Sequence, residues 1–261
     1  MSAQQDRPAG AFIMALRLFS RLPSGSSAHG APDLDRIAPV APLASLVIGA
    51  GPAMLLVLAA MGGFTPLFAA LLAVAAAAIV GGAMSEDAVA DAADGLFGGT
   101  TPERRLEILK DSRHGTYGVL AIVLVIGLKT IALASMAARD PIAAGCVWIG
   151  ATIVARSGSL LLSFALPSAR SNGLSASSGG VSRNSFIVGL VVATGLAVAI
   201  WVPFVGPSAM VPALVLAVLV AVGWMQLCRK LVGGQTGDLI GALQALLEIT
   251  ILATIMRMLT G

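Results

Sequence analysis

The chain has 261 residues, of which 57% are hydrophobic and only 11% are charged, and its net charge is +3. A typical soluble domain is about a quarter charged, so this chain has too little polar surface to coat a globule in water. The composition excludes an ordinary soluble enzyme and predicts a membrane protein. Basic residues stand singly or in pairs between apolar runs, which indicates membrane topology signals and not nucleic-acid binding.

The N-terminal segment, residues 1–37, is predicted to lie at the membrane surface. Within it, residues 11–22 place Phe12, Leu16 and Phe19 on one face of a helix, as in an interfacial amphipathic helix. No cleavable signal peptide is predicted, because no apolar stretch with a cleavage-like site follows the first charges. Residues 24–36 and 168–184 are rich in Ser, Gly, Ala, Asn and Pro, and we expect them to form loops.

Seven apolar runs follow, each long enough to cross roughly 30 Å of hydrocarbon as a helix. They cover residues 40–61, 66–84, 117–137, 141–166, 185–205, 209–228 and 239–259. Only four residues separate the first two runs, and Pro and Gly interrupt the first, so a bent or re-entrant hairpin remains an alternative there. The sequence predicts an all-α, polytopic transmembrane helical bundle of about six to seven spans, with residues 1–261 forming one integral membrane domain.

Basic residues are distributed unevenly between the two sides of this bundle. Twelve of the sixteen Lys and Arg residues fall on the side that also holds the N-terminus. Cytoplasmic loops of membrane proteins carry such an excess, so the N-terminus and the polar loops are expected to be cytoplasmic.

Acidic residues concentrate in one segment, residues 85–116, which holds seven of the thirteen acids. Asp87, Asp91 and Asp94 stand at i, i+4 and i+7, so they share one face of a helix, which we expect to continue from the second span. The glycines at 98–99 are expected to end this helix.

A second helix is predicted to begin after Thr101, which would cap it, and to carry Glu107 and Asp111 at i, i+4. Two such helices packed antiparallel would bring four or five carboxylates together. Like charges that close are costly unless a cation neutralises them, and oxygen ligands suit Mg²⁺ or Mn²⁺. The sequence therefore predicts a metal-holding helix-loop-helix on the cytoplasmic side.

Several alternatives remain open at this point. The acids could simply pair with the basic residues of the same segment, which are Arg104, Arg105, Lys110 and Arg113. With a metal, they would fit phosphate-group transfer, ion transport or proteolysis within the membrane. Only Glu248 lies well within a predicted span, which makes transport the weaker alternative. The spacing also matches, in part, the acidic signature of membrane enzymes that use CDP-alcohol donors.

A closer similarity covers nearly the whole chain and consists of five motifs in order. They are LRLFSRLP at 16–23, DAVADAADGL at 87–96, the segment 106–118, ARSNGL at 169–174 and GGQTGDLIGA at 233–242. With these motifs the chain resembles the cobalamin synthase family, adenosylcobinamide-GDP ribazoletransferase. Two departures concern the acidic motif, where Ala88 replaces a usual Gly and Ser85 replaces a frequent His.

The resemblance implies an enzyme that transfers the cobinamide phosphate of adenosylcobinamide-GDP to α-ribazole or its 5′-phosphate. The products would be adenosylcobalamin or its 5′-phosphate and GMP, in a late step of vitamin B12 biosynthesis. It further implies a requirement for Mg²⁺, with Mn²⁺ as a substitute, and a multi-pass location in the bacterial inner membrane with a cytoplasmic active site. Association of the chain with itself is left open, and a transporter or another CDP-alcohol-type phosphotransferase is the alternative function.

The site residues implied by this resemblance fall into three groups. The expected metal ligands are Asp87, Asp91, Asp94 and Asp111. The expected catalytic residues are Glu107, Asp111 and Asp94, with Glu107 as a further ligand or as the base. The expected substrate-binding residues are Arg113, Arg170, Gly95, Gly98, Gly99, Gly233, Gly234 and Asp238.

Three further polar residues are interpreted separately. His114 is interpreted as a loop or packing residue, since a lone His is more often structural than catalytic. Lys129 and Arg156 fall within predicted spans. For Arg156, which is the deeper of the two, a role in a polar cavity is favoured.

Overall fold

The computed structural model of the chain describes residues 8–25, 31–111, 113–170 and 179–260. Part of each predicted loop, 24–36 and 168–184, therefore lies outside the described residues, as does most of the motif at 169–174. The helices are α1 Pro8–Phe19, α2 Leu34–Ile37, α3 Ala41–Met61, α4 Pro66–Gly81, α5 Met84–Gly98, α6 Pro102–Ile108, α7 Thr116–Ala137, α8 Pro141–Ser159, α9 Leu161–Ala165, α10 Arg183–Trp201, α11 Pro207–Val232 and α12 Gly237–Thr260. No strand occurs in the described ranges, so the all-α prediction is confirmed.

Six of these helical segments are long and apolar enough to cross a membrane. They are α3, α7, α8 with α9, α10, α11 and α12, while α4 and α5 together form a bent pair. The predicted number of six to seven spans is confirmed. The first predicted span, 40–61, forms one helix in spite of Pro52 in its interior.

The prediction that the acidic helix continues from the second span is wrong. Helix α4 ends at Gly81, and α5 leaves it at an angle of 87°. Gly82 and Ala83 both adopt the left-handed conformation, with φ of 65° and 54°, and this ends the helical hydrogen-bonding pattern. Gly82 enters this region without steric cost, whereas Ala83 is the one non-glycine residue with positive φ among those described.

The helix ends gather on two faces of the bundle. On one, which we call the site face, the Arg21 amide donates to the Val80 carbonyl and the Ser182 amide donates to Asp35. This face therefore joins α1, the end of α4 and the start of α10. On the far face, Arg139 after α7 donates to the Leu259 carbonyl at the end of α12.

Helix α4 returns the chain from the far face to the site face although it is short. Its 16 residues span about 24 Å at the rise of an α-helix, somewhat less than a hydrocarbon core. The acidic helix α5 then lies along the site face, outside the six long spans.

Small side chains hold the bundle together, as expected where helices associate in lipid. The span formed by α8 and α9 is the most enclosed of the six, with 78% of its most apolar stretch buried inside the bundle. At its centre, a side chain on Gly150 would collide with the ring of Trp201, whose indole N–H donates to the Val147 carbonyl at 3.2 Å. Glycine at this position permits α8 and α10 to approach closely.

Candidate active site

The acidic helix α5 packs between α7 and α12, and its three aspartates differ in exposure. The Asp94 side chain is buried, that of Asp91 is 17% exposed and that of Asp87 is 65% exposed. The face predicted from the i, i+4, i+7 spacing thus runs from the interior of the bundle to its polar surface.

Asp94 fixes the beginning of α7. Its carboxylate accepts hydrogen bonds from the amides of Gly115 at 2.6 Å and Gly118 at 2.9 Å. A side chain at either glycine would collide with that carboxylate, so both positions require glycine. A negative charge at a helix N-terminus is favourable, and the Asp94 carboxylate therefore joins α5 firmly to α7. Its part in metal binding stays a prediction.

Asp87, Asp91 and His114 form a group that could hold a metal ion. The His114 ring nitrogens lie 3.8 Å from Asp87 Oδ1 and 3.9 Å from Asp91 Oδ1. One ligand atom from each residue lies within 4.8 Å of the others, which is close enough for a single ion to contact all three. The turn between α6 and α7 that Asp94 secures brings His114 to this place.

The electrostatics of this group favour a cation. Burial, and after it the neighbouring carboxylates of Asp87 and Asp238, together raise the pKa of Asp91 to about 6. A raised carboxyl pKa means that the ionised form is destabilised at neutral pH, and a divalent cation would remove that cost. Two carboxylates and one imidazole fit Mn²⁺ or Mg²⁺, the imidazole favouring Mn²⁺.

The sequence predicts His114 to be a loop or packing residue. It does lie in a loop, but this prediction missed its position beside Asp87 and Asp91. The available signal was its place between Arg113 and Gly115, inside the motif at 106–118. A lone His gives no periodic pattern, so only the fold shows what it faces.

Arg170 reaches the same region from the segment after α9. Its guanidinium lies 3.9 Å from Asp238 Oδ2 and donates to the Leu106 carbonyl at 3.1 Å. Among the described residues its buried Nε–H finds no acceptor. Arginine forks onto phosphate oxygens, and the Arg170 side chain is 22% exposed, which fits the predicted role in substrate binding. Thr236 caps the start of α12, because its hydroxyl accepts a hydrogen bond from the Leu239 amide.

Helix α6 is shorter than predicted. Thr101 caps the helix as expected, because its hydroxyl accepts a hydrogen bond from the Arg104 amide. The helix, however, ends at Ile108. Asp111 therefore lies beyond the helix, and the predicted i, i+4 arrangement with Glu107 on one helix is wrong. After Ile108 the chain forms a tighter turn, in which the Lys110 and Asp111 amides donate to the Glu107 and Ile108 carbonyls, three residues back.

Three predicted site residues lie on the exposed side of this turn. Glu107 forms an ion pair with Arg104 at 2.9 Å, and Asp111 forms one with Arg113 at 2.7 Å. Hydrogen bonds from Arg113 lower the pKa of Asp111 to about 2. Glu107 and Asp111 do not belong to the group of ligand atoms around Asp91.

The predicted glycines lie where chain segments approach each other. A side chain on Gly95 would collide with Leu109, which follows α6, and one on Gly99 would collide with Arg105 of α6, while Gly98 is less crowded. Gly233 ends α11 with φ of 74°, and a side chain on Gly234 would collide with the Pro167 carbonyl. These contacts account for glycine at four positions, and a role in approaching pyrophosphate stays a prediction for all five.

A cavity of about 290 Å³ opens beside this group and extends into the bundle. Glu86, Asp87 and Asp238 line its mouth, and Lys129, Arg156 and Glu248 line its inner part. Phe19 of α1 covers the guanidinium of Arg156, 5.1 Å from the ring centre. The prediction that Arg156 has a role in a polar cavity therefore agrees with its position. Lys129 lines the same inner part of the cavity.

Comparisons with known proteins agree on one family. The sequence model of the family described as cobalamin-5-phosphate synthase matches residues 11–256. A protein of Azorhizobium caulinodans named adenosylcobinamide-GDP ribazoletransferase is 40% identical over 91% of this chain and 92% of its own length. Proteins of the same name from Brucella anthropi and Brucella canis are 37% and 38% identical, over 96% and 92% of this chain and 97% and 94% of their own lengths. No solved structure matches.

Proposed function

The chain belongs to the cobalamin-5-phosphate synthase family, and on that premise we propose that it transfers the cobinamide phosphate of adenosylcobinamide-GDP to α-ribazole or its 5′-phosphate. A hydroxyl of the acceptor forms a bond to the phosphorus attached to cobinamide. The bond from that phosphorus to the bridging oxygen breaks, GMP leaves, and the hydroxyl proton passes to a base. With the 5′-phosphorylated acceptor, the reacting hydroxyl must be one at another ribose position.

The observation that carries this proposal is the meeting of Asp87, Asp91 and His114 beside a cavity. Asp87 lines this cavity together with Asp238, which Arg170 approaches to 3.9 Å. Phosphate transfer needs alignment of three atoms and neutralisation of charge, and little covalent help from the protein. A divalent ion held by this group would neutralise charge on the phosphate oxygens. Arg170 binds a further oxygen, and Asp94 positions His114 by holding the start of α7.

Other predicted residues enter the proposal with narrower roles. Asp94 and Asp111 are proposed as further metal ligands, and Glu107 as a ligand or the base. Since Glu107, Asp111 and Arg113 lie on the exposed side of the α6–α7 turn, they would contact substrate that extends over this surface. Family membership supports the transferase and gives no support to a transporter or a CDP-alcohol enzyme.

The product identifies the reaction. Protein purified in lipid nanodiscs is mixed with adenosylcobinamide-GDP and either acceptor, and the corrinoid is analysed by mass spectrometry. We expect a corrinoid joined to the acceptor through one phosphate, and none when the acceptor is omitted. A folded protein that leaves the donor unchanged with both acceptors would refute the proposal.

Metal binding is predicted to depend on His114 as well as on the aspartates. Mn²⁺ titration followed by electron paramagnetic resonance should show weaker binding for His114→Ala by at least about 10- to 100-fold, since removal of a residue that only supports a metal ligand already costs that much. The half-buried Asp33, which caps α2, offers a control: Asp33→Asn should bind Mn²⁺ normally. Unchanged affinity in His114→Ala would remove His114 from the site.

The site face is proposed to be the cytoplasmic side of the bacterial inner membrane. Eleven described Lys and Arg residues lie on the loops and helix ends of this face: Arg17, Arg21, Arg36, Arg104, Arg105, Lys110, Arg113, Arg170, Arg183, Arg229 and Lys230. This excess is typical of cytoplasmic loops. Alkaline phosphatase, which is active only outside the cytoplasm, should be active when fused after residue 261 and inactive when fused after residue 232. The opposite pair of results would place the site outside.

A further inference from the structure

The inner part of the cavity carries more positive than negative charge. Its charged lining residues among those described are Lys129, Arg156 and Glu248. Glu248 is already engaged: it lies 3.4 Å from the Lys129 amine and accepts the Trp148 indole N–H at 2.6 Å. Arg156 therefore has no carboxylate of its own in the described structure, although its side chain is only 6% exposed.

The bonds of Arg156 leave donors for a ligand. Its Nε donates to Gln244 Oε1 at 3.4 Å and its Nη1 donates to the Ser45 hydroxyl at 3.0 Å, and both partners are neutral. Among the described residues, Nη2 makes no hydrogen bond. The ring of Phe19 covers the guanidinium, which restricts water on that side. A buried guanidinium is costly unless an anion balances its charge.

The position of Arg156 relative to the mouth sets the size of the ligand. Its partner Gln244 lies six residues beyond Asp238 on α12, which is about 9 Å along the helix axis. A ligand that reaches from the acidic mouth to Arg156 therefore spans roughly the size of one phosphorylated sugar. One end of such a ligand lies at the carboxylates of the mouth and the cation that they would hold. The other end lies at the positively charged guanidinium of Arg156.

We propose that Arg156 anchors a second anion subsite, which takes the phosphate monoester of a small ligand whose other end lies at the acidic mouth. This rests on the proposed function for the choice of ligand, since α-ribazole 5′-phosphate is the acceptor that carries such a group. A phospholipid headgroup also carries a phosphate, and lipid surrounds the bundle in which the cavity lies. The test therefore has to distinguish α-ribazole 5′-phosphate from a phospholipid as the ligand of Arg156.

The test measures acceptor binding without the donor, so it does not depend on turnover. Protein in phosphatidylcholine nanodiscs is titrated calorimetrically with α-ribazole 5′-phosphate and with α-ribazole. Wild type should bind the phosphorylated form at least about tenfold more tightly, and Arg156→Gln should lose about 10- to 100-fold for that form only, the usual range for a charged hydrogen bond. Gln244→Glu, which keeps Arg156 but supplies an internal anion, should show the same selective loss.

Three results would overturn the subsite. They are equal binding of both acceptors by wild type, an unchanged preference in Arg156→Gln that still folds, and an Arg156-dependent binding of phosphatidic acid with no effect on α-ribazole 5′-phosphate. Mn²⁺ affinity at the mouth and the melting temperature serve to show that each variant is folded. Absence of donor turnover in wild type would refute the proposed function and leave this binding result intact.

Discussion

Asp91→Asn is expected to reduce GMP release by at least about 100-fold, the scale of losing one preorganised charge at a reacting phosphate. Asn keeps the shape of the side chain and removes the carboxylate nearest to the other acids. Mn²⁺ affinity should fall in parallel. The metal-free variant should melt no lower than wild type, because the ionised Asp91 is disfavoured there by burial and by Asp87 and Asp238.

A carboxylate of the neighbouring helix supplies the control for this variant. Glu103 lies exposed in the first turn of α6 and makes no ion pair in the described structure. Glu103→Gln should therefore release GMP at nearly the wild-type rate. Activity and Mn²⁺ binding retained in Asp91→Asn would contradict a metal site on α5.

Gly118→Ala is expected to weaken the enzyme through its structure. An added methyl group would collide with the Asp94 carboxylate and lie 3.1 Å from the Ala90 carbonyl. Overpacking of this kind costs about 1–3 kcal/mol, and it would also loosen the turn that carries His114. We expect a lower melting temperature and a loss of activity of tenfold or more.

The same helix offers a matched comparison for this change. At Gly127 an added methyl group meets nothing within 4 Å, and alanine favours a helix over glycine. Gly127→Ala should therefore keep both stability and activity. If Gly118→Ala behaves like Gly127→Ala in thermal melting and GMP release, Asp94 does not fix α7 as the structure indicates.

The spans were predictable because lipid leaves little freedom in how an apolar run of about 20 residues folds. The break at Gly82–Ala83 was not, since the apolar run gives no sign that the chain turns by 87° there. The capping residue Thr101 was predicted correctly, but the end of α6 was not. Leu109, which follows the helix, packs against Gly95, and local spacing does not show such a tertiary contact.

Within the site, local spacing identified the face of Asp87, Asp91 and Asp94. Local spacing could not show that the Asp94 side chain points inward and binds the start of α7. Nor could it show that His114 lies beside Asp87 and Asp91, because both features depend on how segments distant in sequence pack together. The buried position of Arg156 beside Gln244 depends in the same way on the pairing of α8 with α12.

The most direct test of the account is GMP release by purified wild-type protein from adenosylcobinamide-GDP and α-ribazole 5′-phosphate as Mg²⁺ is removed with EDTA and restored. We predict that release stops without the metal and returns when Mg²⁺ or Mn²⁺ is added. Release that continues undiminished in EDTA would contradict a transfer supported by a metal at Asp87, Asp91 and His114.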